Sequence, residues 1–67
     1  MATLMQLAAA TQKARKASGV AVCTRAEQGR LQVGYHLGTE FVELSGWVSL
    51  PVAVQCLLDI VRDNGFR

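Results

Sequence analysis

This chain has little of what site chemistry usually needs. It holds one histidine and two cysteines. Cys23 and Cys56 are too few for a disulfide framework, and with His36 as the lone imidazole they neither complete a metal site nor show metal-ligand spacing. Both lie in apolar contexts and are expected to be small, reduced core residues of a cytoplasmic protein. No apolar run approaches the ~18 residues that a spanning helix needs, so no membrane role is expected. The apolar stretch from Leu4 to Ala10 is short, is interrupted by Gln6 and is followed, not preceded, by basic residues, unlike a secretory signal. Acidic residues are missing from positions 1–26, which carry Lys13, Arg15, Lys16 and Arg25. Against the net +2 of the whole chain, that segment is +4 and the remainder is −2. The overall charge is too small to argue for nucleic acid by itself. Three of the four cations fall where a helix C-terminus would welcome them.

What the chain does have is apolar residues, 51% of 67, with only 18% charged. A length of 67 residues makes one small domain, positions 1–67. A chain of this mass buries only about 60% of the surface it exposes when unfolded. It cannot hide half its residues, so some apolar surface is expected to meet a partner, with a homodimer the simplest case.

The order of hydrophobic periods sets the architecture. A helix-spaced opening, Ala2 to Lys16, places Leu4, Leu7, Ala8, Thr11 and Ala14 on one face, with Thr3 and Gln6 in a capping-box pattern and Ser18-Gly19 as the stop. Three alternating runs follow. Val20 to Arg25 turns through Glu27-Gln28-Gly29-Arg30 into Leu31 to Leu37, and Gly38-Thr39 leads to Glu40 to Val48. Ser49-Leu50-Pro51 opens a second helix with a stripe of Val54, Leu57, Leu58 and Val61, extended by Leu50 and Ala53 and closed by Asn64-Gly65, with Phe66 folding back on Val61. The expectation is an α+β fold, α-β-β-β-α, with a three-stranded antiparallel meander and both helices on one face. Val20, Val22, Leu31, Val33, Tyr35, Val42 and Leu44 form the covered face. Gln32, Gly34, His36, Phe41, Glu43, Ser45 and Trp47 form the open one, with Phe41 and Trp47 about 20 Å apart along a regular strand.

The element order resembles that of double-stranded RNA-binding domains and of the small HicA-type toxins that share their topology. The first family's resemblance would imply a lysine cluster at the start of the second helix, where this chain has Leu50, Pro51, Val52 and Ala53. The second would imply a strand histidine in a Gly-Ser-His-like setting, echoed only by Gly34-Tyr35-His36. No nucleophile–base–orienter set is legible, and Glu40 and Glu43, three apart on a strand, point to opposite faces. The expectation is therefore not an enzyme and no cofactor. It is a protein–protein interaction module, an inhibitor or adaptor of the kind phages and mobile elements encode, contacting its partner through Trp47, Phe41 and Tyr35. The alternatives are a nucleic-acid-binding domain using Lys13, Arg15, Lys16 and Arg25, and a degenerate HicA-like ribonuclease using His36.

Overall fold

A computed structural model describes residues 2–63. Helix α1 spans Leu4–Ser18, strands β1, β2 and β3 span Ala21–Glu27, Arg30–Leu37 and Glu40–Glu43, and helix α2 spans Leu50–Arg62. The sheet order is β1-β2-β3 with both pairings antiparallel.

Local chemistry accounts for these boundaries. The Thr3 hydroxyl accepts from the Gln6 N–H while the Gln6 side chain accepts from the Thr3 N–H, a complete capping box. Gly19 closes α1 in the left-handed conformation. Glu27 pairs with Arg30 across a two-residue loop in which both Gln28 and Gly29 have positive φ, as a type I′ turn requires. Pro51 occupies the first turn of α2, where no intrahelical partner is lost, and Ser49 is the N-cap although its side chain makes no capping bond. The expected stop at Asn64-Gly65, and Phe66 on Val61, lie outside the described residues.

In an antiparallel ladder, residues directly opposite share a face. The register pairs Val22 with Tyr35, Thr24 with Val33, Ala26 with Leu31 and Tyr35 with Val42, which defines the face both helices cover. Val22 and Val33 are buried in one cluster with Leu7, Ala10 and Ala14 of α1 and Ala53 and Leu57 of α2, with Tyr35, Leu31 and Val48 packed around it. Alanines at three of these seven positions let the helices lie close to each other and to the strands.

Several expectations change. β3 ends at Glu43 instead of Val48. Between the pairs Gly34–Glu43 and Leu31–Val48, β2 has two intervening residues and the other side has four, a bulge over positions 44–47. The N–H groups of Leu44 and Ser45 both donate to the Val33 carbonyl, and the Ser45 hydroxyl accepts from the Val33 N–H. The bulge breaks the alternation, so Leu44 is exposed while Val48 returns to the core. On α1, Leu4 (72% exposed) and Ala8 lie outside the core and Ala10 lies within it. The reason is that α1 packs more extensively on α2 than on β1, which rotates its buried face. On α2, Leu58 is 40% exposed, one residue past the buried Leu57 and turned to the outer rim. Both cysteines are free, but only Cys56 packs on the core. Cys23 pairs with Gly34 on the other face.

Candidate functional site

Among the described residues no helix covers the second sheet face, on which the register places Ala21, Cys23, Arg25 and Glu27 of β1, Arg30, Gln32, Gly34 and His36 of β2, and Phe41 and Glu43 of β3. At its centre is Gly34. A Cβ built there would collide with Phe41 Cζ and with the Val42 carbonyl oxygen. Phe41 therefore lies over the strand backbone at Gly34, in space that any other residue at position 34 would fill.

The Arg25 guanidinium stacks on the outer side of that ring, with its central carbon 4.0 Å from the Phe41 centroid and 5.9 Å from that of Trp47. These distances cap the separation of the two rings at about 10 Å, half the spacing a regular strand would impose. The bulge is the cause: its two extra residues shorten the advance of the chain along β2, so that Trp47 arrives beside Arg25. In the plane of its guanidinium, Arg25 donates to Gln32 Oε1 and lies 3.7 Å from a Glu43 carboxylate oxygen. Gln32 is only 2% exposed on a face that no helix shields, so its cover comes from neighbours on the face itself. His36, opposite Phe41 in the register, packs edge-on against it at 5.5 Å and 75°. Trp47 remains 37% exposed and the Arg25 side chain 46%. The product is a held cluster of flat groups: phenyl, guanidinium and indole side by side, with the imidazole edge-on against the phenyl ring.

The expected partner-binding residues divide. Trp47 and Phe41 meet around Arg25. Tyr35 belongs to the opposite, helix-covered face, where it packs against the core. The four basic residues also divide. Arg25 is in the stack. Arg15 Nε donates 2.7 Å to the Val22 carbonyl. Lys13 borders an inter-helix groove with Val54 and Leu58, and Lys16 is exposed on α1. They do not form one patch. His36 makes no hydrogen bond to a serine, cysteine or carboxylate among the described residues, and these include no group of three or more potential metal ligands. Sequence reasoning missed the structural parts of Gln32 and Gly34. The signal for the latter was a glycine in mid-strand, which marks close approach by another group.

No helix of the described residues is long and apolar enough to cross a membrane. The chain matches no family model, no curated protein and no solved structure, so the resemblance to RNA-binding domains and HicA-type toxins rests on element order alone.

Proposed function

We propose that this chain is a small cytoplasmic protein-binding module that acts by association and not by catalysis, docking a partner protein on its uncovered sheet face. The observation that carries the reading is the Arg25 stack. Trp and Arg are the residues most often found at energetic centres of protein interfaces, and here both are held before any partner arrives, which lowers the ordering cost of binding. Charge supports the same reading. On this face Arg25 and Arg30 are matched by Glu27 and Glu43, a balance suited to a mixed protein surface more than to a polyanion.

Area bears on the partner. Three strands ~4.8 Å apart and ~20 Å long present roughly 300 Å². A standard interface takes roughly 800 Å² per side. Two copies stacked flat would fall short, so the partner reaches past the sheet, over Trp47 and the bulge. As an inhibitor or adaptor, the chain would act by occupying that partner's surface.

The test is site-specific photo-crosslinking with a benzophenone amino acid at position 47 or, as control, at position 5 on the exposed side of α1. A discrete heavier adduct from position 47 alone is expected. It should be lost in Arg25→Ala and retained when Lys13 and Lys16 are both changed to Ala. Adducts independent of position, or binding to mixed RNA or DNA that disappears with the two lysines, would overturn the reading. Sedimentation of the free protein separates a foreign partner from a second copy.

A further inference from the structure

A second surface differs in kind from the Arg25 face and does not depend on it. Among the described residues β1 is an edge strand, with β2 on one side and no strand on the other. The direction of its backbone groups follows from two observations. Val33 and Leu31 exchange hydrogen bonds with the segment after β3, so the alternate residues Gln32, Gly34 and His36 of β2 face β1. Their partners Arg25, Cys23 and Ala21 face β2 in return, which leaves Val22, Thr24 and Ala26 facing outward. Val22 confirms the phase, because its carbonyl accepts from Arg15 Nε. Thr24 and Ala26 thus offer a row of N–H and C=O groups along the free edge.

Helix α1 overhangs that edge. Between them lies a groove of about 380 Å³ whose helical wall includes Leu4, Leu7, Ala8 and Thr11 and whose strand wall includes Thr24. Arg15 closes one end. Beyond its bond to Val22, its guanidinium makes no other hydrogen bond among the described residues. Lys16, one helical turn past the lining residue Gln12, is exposed, and no acid occurs anywhere in positions 1–26, which supply both walls. The site therefore combines an unpaired backbone ladder, an apolar slot and cationic groups with no counter-charge.

We propose that this groove binds an extended, acidic segment of a partner protein, which adds to β1 as a fourth strand. Its backbone pairs with Thr24 and Ala26. Alternate apolar side chains enter the slot beside Leu7 and Ala8, and a carboxylate meets Arg15.

The probe is a random decapeptide library displayed on phage and selected on the folded, immobilised chain. The strongest sequence is then synthesised with a fluorescein label. Selected sequences should alternate apolar and acidic residues. Binding should fall about tenfold or more, the equivalent of one or two hydrogen bonds, in Thr24→Pro, which removes an outward N–H at an edge position that tolerates proline. Circular dichroism checks that this variant folds. Methylating alternate backbone nitrogens of the peptide should abolish binding without any change to the protein. Amide exchange at Thr24 and Ala26 should slow in the complex. Basic selected sequences, no selection at all, equal binding by the methylated peptide, or shifts centred on Phe41 and Trp47 would each overturn the proposal. So would a peptide-free dimer that Thr24→Pro dissociates, since the edge would then belong to a second copy.

Discussion

The two faces of this sheet exclude water by different means. On the covered face, Val22 and Val33 meet Leu57, Ala53, Ala10 and Ala14, and small apolar residues let two helices close over two strands. On the other face, where no helix is available, flat groups lie against one another: Phe41 over Gly34, Arg25 over Phe41, and Trp47 beside Arg25. A 67-residue chain with two short helices can roof one side of a sheet. The difference shows that the other side can shelter even a polar group such as Gln32 when planar side chains stack laterally. The first face is held by area removed from water, which is indifferent to direction. The second depends on the orientation of each group and is left half open, which suits it to recognition.

Four tests, using five substitutions, probe this contrast, from the largest effect to the smallest. Leu57→Ala should lower the unfolding free energy by ~2–5 kcal/mol in urea titration, while Leu58→Ala, on the exposed rim of the same helix, should cost under ~1 kcal/mol. Equal losses would mean that the covered face is not organised around Leu57. Gly34→Ala should cost ~1–3 kcal/mol and shift the Trp47 fluorescence, because the added methyl collides with Phe41 and with backbone at Val42. A variant as stable as the parent with unchanged emission would remove Phe41 from the strand surface. Arg25→Met retains an apolar stem but loses the guanidinium and leaves Gln32 without its partner. A loss of ~1–2 kcal/mol is expected by thermal or urea unfolding. Full stability would reduce the second face to ordinary apolar packing. Glu43→Gln should change stability by less than ~0.5 kcal/mol at low and high salt alike, since its contact with Arg25 is 3.7 Å long between half-exposed side chains. A larger, salt-dependent loss would make the ion pair, and not the rings, the tie that orders the face.

Most of the fold was legible because its signals were local. The capping box at Thr3 and Gln6, the two-residue loop at Gln28-Gly29, the proline at the start of α2 and the alternation of β2 each act within a few residues. The phases of the two helices were harder to read. Positions 8, 9 and 10 are all alanine, and α2 is apolar at Leu57, Leu58, Ile60 and Val61, so several stripes fit equally well and only the angle between the helices decides. The bulge was not legible. Period-two alternation carries no marker for two inserted residues, and extending it past Glu43 put Leu44 inside and moved Trp47 far from Phe41. The candidate site inherits that outcome: Trp47 and Phe41 meet on the uncovered face while Tyr35, grouped with them from the sequence, lies on the covered one, and the arginine between the two rings falls, in the sequence reading, in a basic patch with α1.

The bulge after β3 also bears on how many molecules can join. Growth of a sheet from one copy to the next needs a usable strand edge on each side. β3 offers only four paired residues before the chain swings out of register, whereas β1 runs for seven. A molecule with one long edge and one blunted edge favours a closed pair or a single added strand over a contact passed onward. The irregularity that places Trp47 beside Arg25 therefore also leaves the sheet with one long edge and one short one, so that edge-to-edge growth through β3 would have to run over four paired residues.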